Sequence, residues 1–174
     1  MVLNGIIGGN QNITKIGVGT LTLGGVATNT GKTTVSVGSL AIASTGGLRI
    51  NATGITVAAA ATLAVDGKLV LTSTTQSLIA NSGIIALNAG SSVLDLNNLF
   101  NGATEGQTYT LISGGTTTGN FSSITNYSGG LNTVFNNATG TLTFTAVPEP
   151  STYGLIGAGA LAAVAFVRRR RKTA

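Results

Sequence analysis

The feature that most constrains this chain is an alternation of apolar and small polar residues that runs from residue 13 to about residue 145. It comes in short bursts: Thr20-Leu21-Thr22-Leu23, Thr34-Val35-Ser36-Val37, Leu40-Ala41-Ile42, Leu48-Arg49-Ile50, Ile55-Thr56-Val57, Leu63-Ala64-Val65 and Leu69-Val70-Leu71. A period of two gives each segment one buried and one wet face, as in a half-buried strand. Between the bursts lie Gly24-Gly25, Asn29-Thr30-Gly31, Gly38, Gly46-Gly47, Gly54 and Asp66-Gly67, residues suited to tight turns or positive φ. The strands are therefore short, the turns frequent, and the fold class all-β.

Two architectures share this rhythm, a β-sandwich and a right-handed parallel β-helix (solenoid) with coils of about 20 to 25 residues. A sandwich core usually draws on large aromatics, and aromatics make up only 5% of this chain. A solenoid instead stacks Val, Ile, Leu, Ala and Thr in ladders around a thin interior, which suits the composition better. The 174 residues allow one such domain, taken as residues 1–145. Beyond Gly102 the bursts become bulkier, with Tyr109, Phe121 and Phe135. A solenoid's terminal coil needs an atypical cover, so residues 103–145 are expected to cap the domain, with another ordinary coil or two as the alternative.

Several function classes lose their residues at once. There is no Cys and no His, so thiolate sites, disulfides, the commonest general base and the commonest neutral metal ligand are missing. No catalytic residue, metal or cofactor is assigned. The net charge of +5 resembles a nucleic-acid footprint until it is located. Lys15, Lys32, Arg49 and Lys68 are balanced by Asp66, Asp95, Glu105 and Glu149, and the whole excess is Arg168, Arg169, Arg170, Arg171 and Lys172. A basic run beside an apolar segment reads as a membrane-topology signal, so no nucleic-acid partner is expected.

Other motifs are weak. Thr30-Gly31-Lys32-Thr33-Thr34 imitates a phosphate-binding loop, but Val26 stands where its first glycine belongs and the following Val35-Ser36-Val37 alternates like a strand. An acid-based enzyme would need Asp66, Asp95 or Glu105 in one groove with Arg49 or Lys68. The oxygen-rich run from Asp95 to Glu105 resembles a Ca²⁺ loop broken by Leu99, and a polar turn explains it equally well. Five N-x-S/T sequons, at Asn12, Asn51, Asn120, Asn126 and Asn137, are expected by chance in so Asn- and Thr-rich a chain.

The C-terminal segment is ordered in three parts. Residues 146–152 hold the only two prolines, in Val147-Pro148-Glu149-Pro150-Ser151-Thr152, and form a stiff linker. Residues 153–167 are apolar and predict a single hydrophobic transmembrane helix roughly 22 Å long, short of a bilayer core of about 30 Å. Flanking arginines that snorkel, and Tyr153 at the other interface, make a marginal span workable. Residues 168–174 form a basic tail, placed in the cytoplasm by the positive-inside rule, with the β-rich part on the far side.

This order of Pro148, Glu149 and Pro150, apolar helix and arginine cluster resembles the PEP-CTERM sorting signal along its whole length. The resemblance implies an exosortase-type membrane transpeptidase that recognises Pro148, Glu149 and Pro150 and removes the tail, with Arg168, Arg169, Arg170, Arg171 and Lys172 as the membrane-retention cluster. A second resemblance covers residues 13–40. Lys15, Gly17, Gly19, Thr20, Leu21, Leu23, Gly31, Thr33 and Val35 fit the autotransporter-associated β-strand repeat, though Thr28-Asn29-Thr30 replaces its usual N-x-Y. Such repeats imply passenger-type β-helices exposed at the cell surface.

The resulting expectation is a non-catalytic exported protein of the bacterial cell surface or extracellular matrix, passing through an inner-membrane intermediate. Exopolysaccharide and other matrix proteins are its expected partners. The alternatives are a β-helical polysaccharide-degrading enzyme and an autotransporter passenger-type adhesin. The latter should end in amphipathic strands of about ten residues, where this sequence ends in an apolar run and arginines. Residues 1–10 lack the basic region and apolar run of an export signal, so a longer precursor is expected.

Overall fold

In the computed structural model, which describes residues 1–148, each alternating burst pairs in parallel register with the equivalent burst one coil further along the chain, and the chain winds into a three-faced solenoid. The first face holds six parallel strands: β1 (Val2–Leu3), β3 (Thr20–Leu23), β6 (Gly38–Ile42), β9 (Ala61–Val65), β12 (Ile84–Leu87) and β16 (Thr116–Thr118). The second holds β4 (Val26–Ala27), β7 (Gly47–Ile50), β10 (Lys68–Leu71), β13 (Val93–Asp95) and β17 (Ser123–Thr125). The third holds β2 (Ile13–Lys15), β5 (Thr33–Val35), β8 (Ile55–Val57), β11 (Ile79–Asn81) and β15 (Ile112–Ser113). Each coil visits the faces in that order, giving about four complete coils with a partial one at either end. Of the two architectures the sequence allowed, the chain adopts the parallel solenoid.

Register explains why small aliphatic residues suffice. On the first face Leu21, Leu40, Leu63 and Ile85 stand in one inward column, and Leu23, Ile42, Val65 and Leu87 in the next. Leu48, Leu69 and Leu94 do the same on the second face, and Ile55, Ile79 and Ile112 on the third. Each side chain is covered by its equivalents one coil above and below, so like stacks on like and nearly all of these are fully buried. No aromatic residue enters this part of the core; of the chain's Phe and Tyr, those in the body all fall between Phe100 and Phe144.

The corners are tight enough to exclude a side chain. A Cβ placed on Gly67 would lie 2.1 Å from the Ala43 carbonyl oxygen and 2.4 Å from that of Gly46, in the coil before. At the corner between third and first faces, a Cβ on Gly83 would meet the Ala58 and Ala61 carbonyl oxygens, each at 2.3 Å. Such contacts lie far inside van der Waals distance, so these glycines are what let successive coils approach to strand-pairing distance.

Within residues 103–145 the chain does two things. β15, β16 and β17 continue the solenoid, while β14 (Thr108–Thr110), β18 (Asn132–Asn136) and β19 (Thr141–Thr145) form a separate antiparallel sheet with β19 in the centre. Against this sheet packs an aromatic cluster: Phe100 lies edge-on to Tyr109 with ring centroids 4.9 Å apart, and Phe144 sits 5.5 Å from Phe100 and 5.2 Å from Tyr127. Flat rings thus cover the apolar cross-section that a further coil would otherwise bury. The predicted helix over residues 153–167 and the basic tail lie outside the described residues; among those described no helix is long and apolar enough to cross a membrane.

Candidate functional site

The sorting motif begins where the capping sheet ends. β19 is held on both edges, by β14 and by β18, and its Leu142 and Phe144 are fully buried. One residue after β19 the chain is exposed at Ala146, Val147 and Pro148, with only an Asn132 amide donating to the Ala146 carbonyl at 3.4 Å. Pro148 cannot donate a backbone hydrogen bond, so it cannot extend the sheet. A firmly paired central strand therefore delivers the first motif residue directly into solvent. Glu149, Pro150 and the cluster Arg168, Arg169, Arg170, Arg171 and Lys172 lie outside the described residues.

The candidate enzyme residues are partly brought together. On the second face, strand pairing aligns Arg49, Val70 and Asp95 in one outward column. The Lys68 ammonium reaches across to Asp95 at 3.4 Å. The other Asp95 oxygen accepts from the Asn126 amide at 2.8 Å and from the Asn97 backbone N–H at 2.9 Å. The carboxylate is buried and surrounded by donors, and its role in this geometry is to tie the start of the loop after β13 to the next coil. Asp66 instead stands at the corner between first and second faces, accepting from the Asn88 amide at 2.8 Å, and Glu105 is exposed in the loop before β14. The three acids thus occupy three separate places, and only one meets a cation.

The same geometry bears on the oxygen-rich run. Its first carboxylate, Asp95, already faces Lys68, and two consecutive asparagines, Asn97 (φ 49°) and Asn98 (φ 57°), turn the chain in the left-handed region. Asn98 N–H then donates to the Asn126 carbonyl at 2.7 Å. The run is built as an asparagine turn. Among the described residues no group of three or more His, Cys, Asp or Glu converges. In the phosphate-loop imitation, Thr33 opens the strand β5 and no helix N-terminus follows.

Lys15 has a role that its place in the charge balance did not reveal. It lies on the inward phase of β2, in register with Val35 and, one coil on, Val57. Its stem is buried, and its ammonium donates to the carbonyls of Ile16 (3.0 Å), Gly17 (2.7 Å) and Val37 (3.1 Å). It closes the corner between the third and first faces across two coils. Gly17 and Gly38, both at positive φ, turn the chain beside it.

The family model for the PEP-CTERM protein-sorting motif matches residues 146–171. Neither the curated proteins nor the solved structures include one that matches this chain. The chain therefore carries a PEP-CTERM sorting motif behind a β-solenoid body, which implies an exported protein sorted to the cell envelope and processed by an exosortase. The comparisons give no support to an autotransporter-associated repeat at residues 13–40, which form the solenoid strands β2 to β5 and the start of β6.

Proposed function

We propose that this chain is a non-catalytic structural protein of the cell surface or extracellular matrix, associated with exopolysaccharide and released outward when its tail is removed near Pro148, Glu149 and Pro150. The observation that carries the reading is the conjunction of the matched motif with its setting: the motif starts in solvent one residue beyond a buried, doubly paired strand. A processing enzyme can reach that segment without unfolding the body. The apolar run 153–167 serves as a transient inner-membrane segment, with Arg168, Arg169, Arg170, Arg171 and Lys172 on the cytoplasmic side. The solenoid is right-handed, as parallel strand connections nearly always are.

The outward surface supports the polysaccharide partner. On the first face Thr20, Ser39 and Thr62 stand in one outward column, and Thr116 closes it beyond Ile84. Neighbouring strands place such hydroxyls about 4.8 Å apart, a row that can exchange hydrogen bonds with sugar hydroxyls without any charge. One observation favours an acid-dependent glycan-cleaving enzyme as a second reading, the Lys68–Asp95 pair on the face that also carries Arg49. Purified protein that degrades a glycan, and loses this on Asp95→Asn, would establish that reading.

The deciding experiment for the first reading is mass spectrometry of the mature protein from the exported fraction of its native host. The expected product ends near residues 148–150. An exported chain with its C-terminus intact at Ala174 would overturn tail removal and leave a simple anchor.

A further inference from the structure

We propose that a hollow at the corner between the second and third faces, walled by parts of residues 72–78 and 96–109, holds one neutral sugar unit of the exopolysaccharide, a site that rests on the partner put forward above. The chain is long there. Residues 28–32 and 51–54 make this corner in the earlier coils, whereas the next two coils take residues 72–78 and 96–111 for it. Insertions into a solenoid gather on one side and often build its binding surface. Here the two stretches meet: the Tyr109 hydroxyl donates to the Thr75 carbonyl, and the Ser77 N–H to the Thr110 carbonyl at 2.7 Å. Ser77, Asn97 and Asn98, three of the four described non-glycine residues in the left-handed region, lie within them. Such backbone costs free energy and collects at sites of function.

The side chains define what fits. The hollow measures about 310 Å³, at the small end of the range for ligand sites, roughly 300 to 1,000 Å³. Its apolar side is Leu99 with the Phe100 and Tyr109 rings, which stand edge to face at 4.9 Å. Its polar side is Thr74, Gln76 and Gln107, all exposed. Both carboxamides are oriented. Gln76 Oε1 accepts from the Thr110 N–H at 2.6 Å, and Gln107 Oε1 from the Thr104 N–H at 3.1 Å. A backbone N–H can face only the oxygen of an amide, so each Nε2 group remains as the donor for a ligand. Among the described residues no Lys, Arg, Asp or Glu lines the hollow, and a charged ligand would meet no counter-ion. A pyranose ring matches this set: its C–H faces suit the apolar side, and its hydroxyl and ring oxygens accept from the two fixed amides and bond with Thr74.

Affinity electrophoresis of the full chain, in mild detergent, against the host's exopolysaccharide tests this, with the polysaccharide split by anion exchange into neutral and acidic fractions. Circular dichroism and a thermal melt confirm that each variant keeps its fold. The unaltered chain is expected to bind the neutral fraction. Gln76→Glu with Gln107→Glu keeps an oxygen for each backbone N–H and removes both Nε2 donors, so a merely structural role would survive it. Binding by that double variant is expected to weaken at least about tenfold. Leu99→Ser, at a residue 36% exposed, opens the apolar side with little consequence for stability and is expected to weaken binding as well. Binding of the neutral fraction that both variants leave unchanged would overturn this site alone and leave the polysaccharide to another surface, such as the threonine column of the first face. Binding of the acidic fraction only would overturn the neutral ligand. Binding of neither fraction would overturn the polysaccharide partner itself, and this site with it.

Discussion

Tyr109 packs its ring against Phe100 and donates its hydroxyl to the backbone carbonyl of Thr75, and burial pushes its pKa from 10.0 up to about 12. Burial acts by penalising the phenolate, the charged form. Between about pH 10 and 12 the unfolded chain has therefore lost a proton that the folded chain keeps, so the stabilising contribution is complete below pH 10 and disappears as pH rises through 12. The melting temperature is expected to fall over that interval, and Tyr109→Phe should flatten the fall while losing about 1 kcal/mol at neutral pH with the hydrogen bond. Thermal melts of both proteins from pH 7 to 12 provide the check; equal slopes would assign the alkaline loss to another group. Lys15 illustrates what is hard to read at this scale. It shares the phase of Ile13, which the structure turns inward, but a lysine is rarely buried without a partner, and its partners are carbonyls of corners the sequence does not display. Asp95 is the one acid of the body set in an apolar pattern, Val93-Leu94-Asp95-Leu96, whereas its donors Lys68 and Asn126 lie 27 and 31 residues away in other coils.

Among the elements, the strands were the most legible part. Each alternating burst from Thr20 to Leu71 overlaps a strand, because period two is a local property and burial in a solenoid follows it directly. Thr34-Val35-Ser36-Val37 overruns β5, which ends at Val35, since Ser36 and Val37 continue the alternation while the chain is already turning. Parallel pairing was less legible, as it depends on which burst lies beside which. The glycines were read as turn residues, and several serve instead for close approach between coils. Gly67 separates these roles: it has no positive φ, yet a Cβ there would strike two carbonyl oxygens of the preceding coil. Gly67→Ala is expected to destabilise the domain by about 1–3 kcal/mol, the usual range for forcing extra atoms into a packed site. Gly102→Ala, where a Cβ would meet nothing within 4 Å, should change stability by less than about 0.5 kcal/mol. Urea denaturation of the two variants measures the contrast, and comparable losses would show that the corners give way more easily than their spacing indicates.

For the molecule as a whole, the two ends of the solenoid differ, and the difference assigns the tail its work. The far end is sealed by β19 and its neighbours before the sorting motif begins, and the last side chain of the described core is Phe144. Export and processing should therefore respond to changes in the tail while the stability of the body does not. On the proposed reading the apolar run of about 15 residues is a short membrane segment, oriented by the charges that follow it. Replacing Arg168, Arg169, Arg170 and Arg171 with Ser removes four of the five cations there and is expected to weaken both membrane retention and the outward placement of the body. Glu149→Gln leaves those charges and the apolar run untouched, so the chain should still enter the membrane, but processing should fail if the acid is recognised. Protease accessibility of the body in spheroplasts reads the placement, and the mass of the exported product reads the processing. Normal processing of the Glu149→Gln chain would remove the glutamate from the recognition element, and unchanged topology of the four-serine chain would transfer the orienting role to the body itself.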